Sequence, residues 1–250
     1  MDAATVSDTL REGVMVALKL GGPLLILSMA VGILVAIFQA VTQIHEQSLS
    51  FILKLIVVVV VVGGFFGYKY LISGPRAEKA AAMMFVAEQQ FAVDSFALAL
   101  NGDGNFAGFL EVIDRYGSTD EGNLARHYAG ICYLRLGEYQ QALDYLKEYS
   151  ASTKSVPEAL LAAQNCGLQG DAYAQLENYA EAVRMYEKAV AASDNSLSAP
   201  YYLKKAGGVY EKLGDYAKAL AAYERISDDY PASMEARDIQ KYIGRIQQQM

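Results

Sequence analysis

The reactive side chains of this 250-residue chain are few: Cys132 and Cys166, His45 and His127. Neither cysteine has a partner at CxxC spacing and neither histidine has another ligand type at metal spacing, so no zinc or redox motif is encoded. Free cysteines commonly pack as small hydrophobes, and core burial is expected for both. The acidic pair Asp228-Asp229 stands ahead of Pro231 and reads as a solvated helix end. Asn101-Gly102-Asp103-Gly104-Asn105 has a calcium-loop flavour but lacks the further spaced acids and the closing Glu, so it reads as a turn. There is no glycine-rich phosphate loop and no locally supported Ser–His–Asp set. The chain is expected not to be an enzyme and to need neither cofactor nor metal. The chemistry left open to it is non-covalent recognition.

The elements that would present such a surface are written in a repeat. Gly130, Tyr133, Tyr139 and Ala142 return as Gly170, Tyr173, Tyr179 and Ala182, and again as Gly207, Tyr210, Tyr216 and Ala219. The alanine is followed four positions on by a large residue: Leu146, Tyr186, Tyr223. Gly and Tyr three apart share a helix face, where the glycine admits a neighbouring helix and the later alanine is its small counterpart at the crossing. The large residue is expected to fill the groove toward the following repeat. The turn falls at Leu136-Gly137-Glu138 and Leu213-Gly214-Asp215, where glycine suits a helix end, with Glu177-Asn178 in its place in the middle copy. A fixed set of small and aromatic residues at one period marks a stacked helical array.

These residues resemble the tetratricopeptide repeat family, with units at about 123–156, 163–196 and 200–233 and a few extra residues around Ser155–Ala162. An early Trp of the family's first helix is absent from every copy. The resemblance implies helix–turn–helix pairs whose first helices line a concave groove. Its candidate protein-binding residues are His127, Arg135, Gln164, Asp171, Gln175, Tyr201, Lys204, Glu211 and Lys212. Mixed charge with an aromatic suits a protein or peptide segment. The family's clamp for acidic chaperone tails is not expected, because its matching places hold His127, Ile131, Gly167 and Asp171.

Ahead of the repeats lie two apolar runs. Leu20–Phe38 holds 19 residues without a charge, and Phe51–Leu71 carries only Lys54 and Lys69, near its ends, where both can snorkel. Two transmembrane helices at about 18–40 and 51–72 are expected, joined by the polar stretch Gln39–Ser50, with Tyr68 and Tyr70 at an interface. Asp2, Asp8 and Glu12 among the first residues argue against a cleaved signal peptide. Gly74-Pro75 is expected to end the second span. Ala77–Leu100 reads as one amphipathic helix or as two with a break near Val93-Asp94, and Phe106–Tyr116 as another; these form an atypical capping pair over 76–122. A last helix over Met234–Gln249 would cover the final repeat.

The stretch Ile37–Lys54, through Gln39-Ala40, Thr42-Gln43-Ile44, Glu46, Leu49-Ser50-Phe51 and Lys54, resembles the FliQ family of flagellar and type III export-gate subunits, as do Ala17-Leu18 and Gly22-Pro23-Leu24-Leu25. That resemblance covers about residues 2–57. From about residue 60 onward, and closely over Asp94–Thr119, the chain resembles membrane-anchored tetratricopeptide proteins of Bacteroides-type bacteria (YfgM-like). The seam falls near Leu55–Val62; a natural fusion and an artificial chimera both produce such a seam.

Net charge is −7, all of it on residues 76–250, which disfavours nucleic acid as a partner. The expected protein is all-α: an N-terminal transmembrane hairpin over 1–75 in the lipid bilayer, then a tetratricopeptide solenoid over 123–250. Its expected place is the bacterial inner membrane, and the hairpin also offers a surface for oligomerisation. Arg11, Lys19, Lys69, Arg76 and Lys79 bias the repeats toward the cytoplasm, whereas both resemblances imply the periplasmic side, which is adopted. The expected function is protein binding as a scaffold or accessory factor of an envelope or translocon complex. The alternative is a FliQ-like export-gate subunit carrying an added repeat domain.

Overall fold

The computed structural model describes residues 47–250, together with helical residues 15, 21, 22, 25, 26, 28–34, 36 and 37. His45, Arg11, Lys19, the acids near the start and most of the Gln39–Ser50 connection lie outside the described residues. The chain divides into two compact units, 1–75 and 76–250. Among the described residues there is no β-strand, only an isolated bridge between Gly102 and Ala107.

In the first unit, α1 spans Gln47–Gly67, so Gln47–Ser50 are helical rather than part of the connection. Valine is a mediocre helix former in water, and the tract Val57–Val62 gains its helicity where backbone groups must pair internally. The helical run from Lys54 is long and apolar enough to cross a membrane. A Cβ placed on Gly32 would lie 3.7 Å from Lys54 Cε, so the earlier helical residues approach α1 near that lysine.

The helix does not end at Gly74-Pro75. Tyr68–Ser73 form a π-helical turn, Gly74 N–H donates to Lys69 O, and α2 continues over Gly74–Ala92. Proline lacks an N–H and its ring crowds the carbonyl four residues back; a wider turn just before it relieves both problems without breaking the helix.

The second unit begins within α2. Its chain breaks at Val93-Asp94, where Asp94 takes φ +58°, and resumes as α3, Phe96–Asn101. Gly102 and Gly104 both adopt positive φ in the following loop, and α4 starts only at Phe109, extending to Tyr116. Phe106 stays out of the helix because Asp103 Oδ1 accepts from the backbone N–H groups of Asn105 and Phe106 and closes a side-chain turn. Met84, Ala87, Leu100, Phe109, Val112, Ala125, Ala129 and Cys132 form the core here, edged by the Phe91, Phe96 and Tyr128 rings.

Three helical pairs follow: α5 Asp120–Leu136 with α6 Tyr139–Glu148, α7 Val156–Gln175 with α8 Tyr179–Ala192, and α9 Ala199–Lys212 with α10 Tyr216–Asp229. A final helix, α11, covers Ala236–Gln247. The caps explain the starts: Thr119, Ser155, Asn178 and Asp215 each accept from the N–H three residues on. Ser155 with Pro157 and Glu158 opens α7 early, so the extra residues around 155–162 lengthen a first helix rather than loop out. Gly137 and Gly214 end α5 and α9 in left-handed geometry; Glu177 takes φ +57° at the same place in the middle pair.

The crossings are tight because of the repeated glycines. A Cβ on Gly130 would meet Leu146 Cγ at 2.5 Å, one on Gly170 would meet Tyr186 Cε1 at 2.6 Å, and one on Gly207 would meet Tyr223 Cε1 at 2.4 Å. The large residue of each second helix therefore seats on the glycine of its own first helix, not in the groove toward the next repeat. A different pair makes the inter-repeat contact: Tyr202 of α9 packs on Gly167 of α7. The core continues through Tyr186, Tyr202, Tyr210, Tyr223 and Ile226 into α11, which buries Ile239, Ile243 and Ile246.

Candidate protein-binding surface

The helices α5, α7, α9 and α11 carry two neighbouring clefts. The first, about 700 Å³, is walled by Phe91, Tyr128 and Arg135 on one side and by Gln164, Asp171, Tyr201 and Lys205 on the other. The second, about 960 Å³, lies between α9 and α11, among Lys204, Glu211, Lys212, Arg237, Tyr242 and Arg245.

At the floor of the first cleft His127 is 1% exposed. Asn165 Nδ2 donates to His127 Nδ1 at 3.1 Å, which places the ring proton on Nε2, 3.4 Å from Gln164 Oε1. Gln169 in turn donates to Asn165 Oδ1 at 2.8 Å. Burial pulls the imidazole down to about 4, only partly opposed by Gln164, so the ring is neutral at physiological pH. His127 is thus a built-in part of the floor, while Gln164 stands exposed above it.

Adjacent first helices are stitched by ion pairs whose partners lie 34 residues apart. Lys205 Nζ donates to both Asp171 oxygens at 2.7 Å, Lys204 Nζ to Asp238 Oδ1 at 2.7 Å, and Arg245 Nη2 to both Glu211 oxygens at 2.6 and 2.8 Å. The tyrosines seated on the glycines join in: Tyr186 Oη donates to Asp171 at 2.6 Å and Tyr223 Oη to Glu211 at 2.6 Å. Burial alone would lower Lys205, but Asp171 beside it overrides this and holds the ammonium above its usual range. Burial and the facing carboxylates push the Tyr186 and Tyr223 hydroxyls well up, so both stay protonated donors.

Of the residues read from the sequence, His127, Arg135, Gln164, Asp171 and Tyr201 come together in the first cleft, and Tyr201, Lys204, Glu211 and Lys212 in the second. Gln175 joins neither; it is the last residue of α7 and points into solvent. Arg135 and Lys212 make no ion pair among the described residues and lie over the Phe96 and Tyr179 rings, at 5.8 and 5.5 Å. At the places that would correspond to a tail clamp, Gly167 is covered by the Tyr202 ring and Asp171 is held by Lys205. Sequence reading missed Lys205, Asp238, Tyr242 and Arg245. Extending the 34-residue step from Lys204 and Glu211 onto the last helix would have found Asp238 and Arg245.

The cysteines offer no competing chemistry: Cys132 is fully buried, its thiol pushed up to about 12 by burial, and Cys166 is half-buried and also raised by burial.

Paired helices seated glycine on leucine or tyrosine, with recurring caps and a row of first helices bearing clefts, define a tetratricopeptide-type solenoid. Family models for the tetratricopeptide repeat match residues 125–152 and 168–233. A solved structure of kinesin-light-chain TPR-like repeats from Podosopora anserina superposes with a TM-score of 0.52 at 14% identity, over 69% of this chain and 86% of that one, a likeness of fold.

The model for bacterial export proteins, family 3, matches residues 5–70. The flagellar biosynthetic protein FliQ of Bacillus subtilis is 45% identical over 58 residues, and that of Borreliella burgdorferi 40% identical over 62. The matched segments cover 23% and 25% of this chain; the chain spans 65% and 71% of those relatives' lengths. Through this N-terminal region the chain belongs to the FliQ family. The match runs on to residue 70, past the seam read near Leu55–Val62, and it joins a second family, the tetratricopeptide repeats, in the same chain.

Proposed function

We propose that this is a membrane-anchored protein-binding factor: the N-terminal region holds the chain in the bacterial inner membrane, and the concave row of first helices receives a segment of another protein in the periplasm. The observation that carries this is the second unit's pair of clefts, lined by tyrosines and by three cations, Arg135, Lys212 and Arg237, that have no internal carboxylate partner among the described residues. Surfaces of this kind supply hydrogen bonds and charge to an extended chain while the aromatic rings bury its apolar side chains. The role is that of a scaffold or accessory factor of an envelope or translocon complex.

A second reading is favoured by the family match over residues 5–70: the N-terminal region is a working piece of a protein-export gate, and the repeats bring a partner to it. Affinity purification in mild detergent, with the full chain beside residues 76–250 alone, decides between them. The scaffold reading expects both to retrieve the same partners. Export-gate subunits recovered only with the full chain would establish the second reading instead. No reproducible partner with either would contradict both.

A further inference from the structure

We propose that α2 pairs in parallel with α2 of a second copy of this chain, through the face it turns away from its own core. This rests on the membrane-anchored reading and extends it to residues beyond the FliQ-family match, which ends at residue 70.

The helix carries two seams with the same step. Ala80, Met84, Ala87 and Phe91, at intervals of four, three and four, face the core. Glu78, Ala82, Phe85, Gln89 and Ala92, at four, three, four and three, are all exposed. The second seam is the first displaced by two residues, about 200° around the helix. The outer seam is apolar at Ala82, Phe85 and Ala92 and polar at Glu78 and Gln89; a helix with a second apolar strip opposite its core face suits a place between two partners, and here only one is present among the described residues. Phe85, 58% exposed, is the protruding residue of the outer seam.

Four observations select a second copy as the occupant. First, the outer steps of four and three are the spacing of a coiled-coil seam, which calls for a helix of matching pattern. Second, knob and hole sit on one patch, as a two-fold pairing requires. Adjoining the seam at Ala82 is a cleft of about 420 Å³ lined on its apolar side by Ala82, Met83, Val86 and Phe106 and on its polar side by Glu111 and Arg115. Third, Glu78 and Lys79, both exposed, begin the seam, so that in a parallel pair Glu78 of each copy faces Lys79 of the other. Fourth, copies anchored in one bilayer share an orientation and are confined to a plane, which favours parallel pairing and raises effective concentration.

The test is disulfide cross-linking of the full chain in lipid vesicles, since a bond requires Cα atoms within about 7 Å. Phe85→Cys and Gln89→Cys are expected to form dimers under mild oxidation, while Lys241→Cys on α11 and the parent chain are not. Adding Phe85→Asp to Gln89→Cys is expected to cut the dimer at least tenfold; both sites are on the surface, so the fold is retained. Equal cross-linking at Lys241→Cys, or a Gln89→Cys dimer undiminished by Phe85→Asp, overturns the pairing. Vesicle flotation of the same preparation reports the anchor separately. A chain that floats without cross-linking contradicts the α2 pair alone, and one that does not float contradicts the anchor and with it the parallel arrangement.

Discussion

Gly207 shows how one atom sets a helix crossing. An alanine there would gain roughly 1 kcal/mol of helix propensity, but its Cβ would sit 2.4 Å from a Tyr223 ring that is fully buried and tied to Glu211. The ring has nowhere to move, and overpacking of this kind costs about 1–3 kcal/mol. Gly207→Ala is therefore expected to lower stability in urea unfolding despite the better helix former. Glu177 makes the opposite case. It holds φ +57° where the flanking repeats use Gly137 and Gly214, a geometry that penalises a side chain. Glu177→Gly is expected to stabilise by roughly 0.5–1 kcal/mol, read as a shift in the urea midpoint at unchanged slope. His127 makes stability depend on pH. Its folded value is depressed to about 4 from 6.5, so the unfolded chain takes up a proton first as pH falls. Stability is undiminished by this group above about pH 6.5 and falls as pH drops toward 4, and the loss reaches roughly 3 kcal/mol below that. Unfolding measured from pH 7 to 4 should show this slope, and His127→Gln should flatten it. The glycines and Tyr223 were legible from spacing alone, since a crossing needs a small residue opposite a large one. The burial of His127 was not: a repeat position tells which helix face a residue occupies, not whether Asn165 and Gln164 close over it.

At the scale of elements, caps and glycines made the paired helices readable, and two features escaped for physical reasons. Pro75 reads locally as a helix end, yet the π-turn at Tyr68–Ser73 absorbs it, and nothing in YKYLIS announces a wider turn. The last helix, α11, lacks the Gly–Tyr signature and so reads as a plain cap. In the structure it is also a wall of the second cleft, bringing Asp238 to Lys204 and Arg245 to Glu211. Its inner face of Ile239, Ile243 and Ile246 closes the hydrophobic core of the array. Ile243→Asp places an unpaired carboxylate in that core, and a loss of roughly 3 kcal/mol or more is expected, with exposed apolar surface detectable by dye binding. Arg245→Ala, a solvent-facing end of an ion pair, should cost under about 1 kcal/mol by the same measurement. The contrast separates the helix's packing role from its part in the cleft.

At the scale of the molecule, the chain joins a FliQ-family region matched over residues 5–70 to a tetratricopeptide solenoid, and the two units divide at residue 75. Both families could be recognised from short stretches, because Gln39-Ala40 through Lys54 and the Gly–Tyr–Tyr–Ala set are specific at fixed spacing. The partner could not, since the cleft residues mix charge and aromatic character without spelling a ligand. Residues 76–250 carry the net charge of −7, yet the second cleft gathers Lys204, Lys205, Lys212, Arg237 and Arg245, of which Lys212 and Arg237 have no carboxylate partner among the described residues, and recognition is expected at the exposed cations of the row of first helices. The most direct measurement is partner recovery from mild detergent by the full chain and by Arg135→Glu/Lys212→Glu, with unfolding curves run alongside. The double variant is expected to fold as the parent does and to lose the partners the parent retrieves. Recovery of the same partners at the same yield would contradict it and move the function off the concave face.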